Sequence, residues 1–186
     1  MKNYRIYVVL TKTNTILSRL IGIIKNDEYT HASISLNKNL ETMYSFGRRN
    51  KYNPFIGRFV KENLDEGVFG LQKNLKGLVL ELKVTPEQYG RIDELLSEFI
   101  INRNNYRYNY FGLINSVLNI EAYSNDRFLC SEFVYYILNE CGVANLNKPR
   151  NLIRPVDLLK LNGQVVFKGY FKNDMEILQK YNYMGI

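Results

Sequence analysis

The stretch THASISL, residues 30–36, decides the fold because its polar and apolar side chains alternate cleanly from His31 to Leu36. Successive residues of a β-strand point to opposite faces of a sheet. The stretch therefore predicts a strand with one apolar face on the core and one polar face. The polar face carries His31, which is the only histidine among the 186 residues.

The strand is followed by Asn37-Lys38-Asn39, which predicts a turn and a return strand over Leu40–Phe46. A three-residue loop sets His31 opposite Ser45 on the same face. A two-residue loop reverses the faces and makes Tyr44 the diagonal neighbour. The carboxylate of this hairpin, Glu41, shares the face of His31 in the first register, but it lies about 13 Å from His31 along the strand at 3.3 Å per residue. As the group that orients the imidazole we rank Ser45 first, Tyr44 second and Glu41 third.

A second stretch, FLCSEFV at residues 128–134, places Cys130 at the head of an apolar run with helical spacing. The helix is predicted to end at Gly142. The unpaired N–H groups and the dipole at a helix N-terminus favour a thiolate, and they can also hold an oxyanion. Cys130 is therefore a candidate nucleophile and His31 its candidate general base. The other cysteine, Cys141, falls on the buried stripe of the same helix and is predicted to be a core residue.

The rest of the chain mixes both kinds of element and predicts a single α+β domain over residues 1–186. The region from Gly47 to Lys76 reads as loop-rich and basic. Further strands are predicted over Tyr4–Leu10, Leu78–Val84 and Gln164–Tyr170, and helices from Thr11-Lys12-Thr13-Asn14 to Lys25, from Thr85-Pro86, over Phe111–Leu118 and from Arg154.

Composition limits the function classes. A formal charge of +7 fits an anionic partner such as nucleic acid or a lipid surface, but it also fits a solvated surface, because the basic residues are spread along the chain. No apolar run is long enough to span a membrane, and no export signal is visible. Free thiols without an export signal predict a reducing cytoplasm. One histidine and two cysteines without paired spacing predict no metal site, and we expect no cofactor.

Six segments taken in order resemble the circularly permuted branch of the NlpC-like, papain-fold superfamily, which includes the YiiX-like and the lecithin:retinol acyltransferase-like proteins. Together they span most of the chain. The segments are VLTKTNT at 9–15, YTHASISL at 29–36, MYSFGR at 43–48, YNY at 108–110, LCSEFV at 129–134 and PVDL at 155–158.

The resemblance implies a permuted papain-like fold, with an antiparallel sheet or small barrel packed against helices that include the cysteine helix. It implies that Cys130 is the nucleophile and His31 the base. The third polar position falls at Ser45, where relatives often carry Glu, Gln or His. Tyr108 or Tyr110 is implied to shape the oxyanion site, and we group Ser131 with these two tyrosines.

The reaction that the resemblance implies is attack on an amide, ester or thioester carbonyl of a peptide or lipid substrate. Two alternatives stay open. One is a catalytically inactive relative that binds a ligand in the same cleft. The other is a basic protein that binds nucleic acid or anionic lipid and whose cysteine and histidine are incidental.

Overall fold

A computed structural model of the chain describes residues 4–13, 27–50, 53–72 and 74–172. Within them the protein is α+β, with a six-stranded antiparallel sheet of order β4-β3-β2-β1-β5-β8 and a two-stranded parallel sheet of β6 and β7. The helix predicted to run to Lys25 lies largely outside the described residues. The strands are β1 Tyr4–Thr11, β2 His31–Ser35, β3 Met43–Asn50, β4 Asn53–Glu62, β5 Lys76–Val84, β6 Arg107–Tyr108, β7 Arg127–Phe128 and β8 Gln164–Tyr170.

The helices are α1 Gly67–Gly70, α2 Pro86–Ile101, α3 Tyr110–Val117 and α4 Cys130–Glu140, with 3₁₀ turns at Arg150–Leu152 and Pro155–Lys160. The α2 helix begins at the predicted capping box, in which Thr85 and Gln88 each bond the other's backbone N–H. Among the described residues, none of the helices is both long and apolar enough to cross a bilayer.

The sheet buries both of its faces. One face carries Ala32 and Ile34 and packs against α2 and α4 in the larger core cluster. The opposite face carries Tyr7, Val9 and Met43, which form a second, smaller cluster with residues from α1 and β8. Since side chains alternate along β2, the polar residues of that strand lie on the side of the smaller cluster.

The region from Gly47 to Lys76, predicted as loop-rich, instead contains most of a long hairpin of β3 and β4. The prediction was wrong because Pro54, Gly57 and the concentration of basic residues resemble loop composition. The strand is compatible with them because β4 is an edge of the sheet, where proline and charge are tolerated.

The turn between β2 and β3 is wider than predicted. Ile34 pairs with Tyr44, and this is the one registered pair between the two strands. Leu40 accounts for part of the difference, because it adopts a left-handed φ of 57° in the turn and buries its side chain in the smaller cluster. Continuing the register by three residues places Gly47 opposite His31, rather than Ser45.

Candidate active site

Cys130 begins α4, which packs against β2 and β3. The imidazole of His31 and the backbone N–H groups of Ala32 and Ser131 lie near enough to its thiol to lower the pKa of Cys130. The N–H of Ala32 is available because β2 and β3 are poorly paired at this end. The sulfur therefore lies at a junction of helix N-terminus and strand, where several donors converge on it.

His31 is the first residue of β2, and its ring is enclosed on several sides. The ring packs edge-on against Phe69 with centroids 5.8 Å apart. Its Nε2 lies 3.0 Å from each carboxylate oxygen of Glu62. Because Glu62 engages Nε2, Nδ1 is the ring nitrogen left for the Cys130 thiol.

Glu62, the last residue of β4, is the carboxylate that completes this arrangement. One of its oxygens accepts a 2.6 Å hydrogen bond from the Ser33 hydroxyl as well as contacting His31. Ser33 and His31 are on the same face of β2, so the two polar side chains hold the carboxylate from neighbouring positions. The order Cys130, His31, Glu62 is that of a nucleophile, a base and the group that orients the base.

The electrostatics of the three groups favour a charged pair. Burial opposes the imidazolium of His31, but the Glu62 carboxylate and the hydrogen bonds to Cys130 and Glu62 outweigh it and raise the pKa of His31 well above its usual 6.5. Burial also opposes the thiolate, yet His31 and the two backbone N–H groups lower the pKa of Cys130 below its usual 9.0. Both shifts stabilise a thiolate beside an imidazolium.

The three residues ranked from sequence as partners of His31 lie elsewhere. The Ser45 hydroxyl donates to the carbonyl of Ala32 at 2.6 Å and bridges the gap between β2 and β3. Tyr44 points to the helix side of the sheet, where its ring stacks on Phe59. Glu41 is exposed and lies in the turn before β3. The structure thus gives the position beside His31 to Glu62 and corrects the sequence ranking.

The sequence pattern does not predict Glu62 as a site residue, because the composition of its strand favours a loop. A weak signal for its strand exists in the sequence, since Phe59 and Val60 are of residue types that are enriched in strands. Only the pairing of β3 with β4 brings a residue 31 positions beyond His31 back to it. Without the register of the hairpin, the contact between His31 and Glu62 cannot be predicted.

The predicted tyrosines lie close to the thiol. Burial, and then the charge of Cys130, raise the pKa of Tyr108 well above its usual 10.0, so this phenol lies within electrostatic reach of the sulfur. Tyr110 packs on Tyr108 with ring centroids 4.9 Å apart. Tyr108 is brought here by its pairing with Phe128, two residues before Cys130.

Ser131 acts on the Cys130 thiol through its backbone rather than its side chain. Its hydroxyl donates to the carbonyl of Ile153 at 2.6 Å, whereas its backbone N–H helps to lower the pKa of the Cys130 thiol. The start of α4 is further held by Glu132, a fully buried carboxylate that accepts from the N–H of Leu129 and from Nε of Arg150. Glu132 and Arg150 were not singled out from sequence.

The arrangement can supply a nucleophilic sulfur, an acid–base group and backbone donors at one place. Within the described ranges, no group of three or more His, Cys, Asp or Glu residues is arranged to hold a metal ion. Comparisons with protein-family models, curated proteins and solved structures found no match for this chain.

Proposed function

We propose that this protein is a cysteine hydrolase or acyltransferase of the permuted papain-like, NlpC-like type. The main observation is that His31, whose Nε2 lies 3.0 Å from Glu62, also lowers the pKa of the Cys130 thiol. The opposite pKa shifts of Cys130 and His31 support the same reading. The histidine strand precedes the cysteine helix in the chain, and this order agrees with the resemblance to the permuted family described above.

In the proposed reaction the Cys130 thiolate attacks an amide, ester or thioester carbonyl, and a carbon–sulfur bond forms. The tetrahedral oxyanion is held by N–H groups at the start of α4, with Tyr108 beside them. The His31 imidazolium then gives its proton to the leaving amine, alcohol or thiol as the carbonyl bond to that group breaks. Water or another acceptor, deprotonated by His31, releases the acyl group and restores the thiol.

Glu62 has the role of orienting His31. A carboxylate on Nε2 fixes the ring so that Nδ1 faces the sulfur, and it stabilises the imidazolium that both halves of the reaction require. Ser33 in turn fixes Glu62. Since both cysteines are free thiols, the reducing cytoplasm is the compartment we propose for this chemistry.

Acyl transfer to sulfur can be tested with small probes that do not require the physiological substrate. The protein is incubated with p-nitrophenyl acetate, an acetyl thioester and an acetyl anilide, and acetylated peptides are located by mass spectrometry. We expect a burst of released leaving group and an acetyl group on Cys130. The Cys130→Ala variant should lose both, whereas Cys141→Ala should keep them.

An inactive relative would behave differently. Acetylation that is equal and slow at Cys130 and Cys141, or a burst that survives Cys130→Ala, would contradict the proposed nucleophile. Acetylation of Cys130 that never turns over in water but does so with an added amine or alcohol would identify a transferase rather than a hydrolase.

A further inference from the structure

Gly47 lies on β3, between the strand that carries His31 and the strand that carries Glu62. The contact between these two side chains therefore crosses β3. The side chains on the same face of β3 lie between His31 and Glu62. Continuing the strand pairing places Gly47 opposite His31. Position 47 therefore borders the place where the carboxylate of Glu62 meets the imidazole.

A side chain at position 47 would meet the carboxylate first. A Cβ built on Gly47 lies 3.2 Å from Oε1 of Glu62, which is tighter than about nine in ten real Cβ contacts, so the carboxylate would have to shift by a few tenths of an ångström. The same Cβ lies at ordinary distances of 3.5 Å from Cε1 of His31 and from Val60. The one crowded neighbour is thus the oxygen that bonds His31 Nε2.

Backbone conformation does not explain the glycine. The described glycines with positive φ are Gly67 and Gly142, so Gly47 has a backbone that other residues adopt readily. A glycine inside a strand weakens it, and it often marks a place where another group must approach closely. The approaching group here is the Glu62 carboxylate.

We propose that Gly47 is a positioning residue, whose missing side chain leaves the space through which Glu62 reaches His31. It acts through Glu62 on the imidazole and, on the proposed function, through the imidazole on the Cys130 sulfur. The strain of an added methyl group falls on the end of a flexible side chain rather than on backbone. The fold should therefore accept alanine at this position, while the hydrogen bond to His31 should not.

The pKa of His31 is the direct readout. Because the chain has one histidine, its ring protons give a single NMR titration curve. The titratable groups that act on the ring are Glu62 from β4 and Cys130 from α4, so the titration is run in a Cys130→Ala background to isolate Glu62. Glu62→Gln should lower the pKa of His31 by about one unit or more, as expected for loss of an adjacent opposite charge.

Gly47→Ala should lower the His31 pKa by part of that amount and leave the thermal midpoint within a few degrees of the parent. The double variant Gly47→Ala/Glu62→Gln should match Glu62→Gln alone, because the methyl group has no carboxylate left to displace. Gly90→Ala is the matched control, since a Cβ at this position of α2 meets nothing within 4 Å. It should leave the pKa of His31 unchanged.

Three results would overturn the proposal: an unchanged His31 pKa in Gly47→Ala, a decrease that adds fully to that of Glu62→Gln, or a Gly47→Ala variant that does not fold. The third counts because the proposal places the strain on the carboxylate alone. The titration needs no catalysis, so failure of acetyl transfer to Cys130 would reject the proposed function without affecting this test.

Discussion

The two ends of α4 carry the two cysteines of the chain, and they impose opposite chemistry on the same side chain. Cys130 at the N-terminal end is 7% exposed and Cys141 at the C-terminal end is 3% exposed, so burial is alike. Burial outweighs the nearby charge of Arg91 and raises the pKa of Cys141 above 9.0. At Cys130 the imidazole and two backbone N–H groups outweigh burial and lower it. The contrast teaches that the donors around the sulfur, rather than its exposure, determine its ionisation.

The largest effect is expected when the imidazole is removed. His31→Gln should slow acyl transfer by about 10²–10⁴, the usual contribution of a general acid–base group. The substitution should also raise the pKa of Cys130 toward that of Cys141. The pH dependence of alkylation at each thiol measures this change, with Cys141→Ala as a control that leaves the Cys130 curve in place. A Cys130 curve that keeps its position without His31 would show that the helix end alone controls the thiol.

Each end of α4 is also held by one arginine, and the two arginines should differ in importance. Arg150 pairs with the fully buried Glu132 near Cys130, and its guanidinium lies over the rings of Phe128 and Tyr136. Arg150→Leu leaves a buried charge without its cationic partner and should lower the free energy of unfolding by about 3–5 kcal/mol. Denaturation by urea measures the loss.

The counterpart at the other end is Arg91, which donates to the carbonyl of Glu140 at 2.8 Å from an exposed position. Arg91→Leu should cost about 1 kcal/mol, as for an ordinary net hydrogen bond. Equal losses for the two arginine variants would mean that the N-terminal end of α4 has no special anchoring.

Ser45→Ala should have a moderate effect on stability and none on the ionisation of His31. The hydroxyl satisfies the carbonyl of Ala32 where β2 and β3 separate, so its removal should cost about 1–3 kcal/mol, the penalty of an unsatisfied buried acceptor. The NMR titration of His31 should be unchanged. A shifted pKa in this variant would restore Ser45 as a partner of the imidazole.

The smallest expected effect is a change in how stability depends on pH. In the wild-type protein the raised pKa of His31 makes folding take up a proton, whereas the lowered pKa of Cys130 makes folding release one, so the two contributions to the pH dependence oppose each other. In Cys130→Ala only the raised His31 pKa remains. Its stabilising contribution is complete below 6.5 and is lost as the pH rises through the folded-state pKa.

We therefore expect Cys130→Ala to lose stability with rising pH above about 6.5, by at most about 1.4 kcal/mol per pH unit. Urea denaturation at several pH values measures the slope. The double variant Cys130→Ala/His31→Gln should not show this loss of stability with rising pH, because it has no histidine. Parallel pH profiles for the single and double variants would show that the pKa of His31 is not raised by folding.

The parts of the fold that local pattern determines could be predicted from the sequence. The alternation in residues 30–36 gives β2 and the polar face of His31, and the capping box at Thr85 gives the start of α2. The helix that begins at Cys130 follows from helical spacing and from Gly142 just beyond its end. These features depend on neighbours within a few residues, and periodicity reports such neighbours directly.

The parts that depend on strand pairing could not be predicted. A three-residue loop predicts Ser45 beside His31, whereas the observed pairing of Ile34 with Tyr44 places Gly47 at that position. Glu62 reaches His31 across an intervening strand, and no local pattern encodes a contact of that kind. A register shift of one residue reverses every side chain, so the third group of the site requires the folded structure.

The most direct test of the contrast between the two thiols is the pH profile of alkylation in the unmodified protein. Iodoacetamide is applied from about pH 5 to pH 10, and peptide mass spectrometry follows Cys130 and Cys141 in the same samples, since the thiolate is the reacting form. We predict a midpoint below 9.0 for Cys130 and above 9.0 for Cys141. Coincident midpoints, or a midpoint for Cys130 above that of Cys141, would contradict an activated thiol at the start of α4.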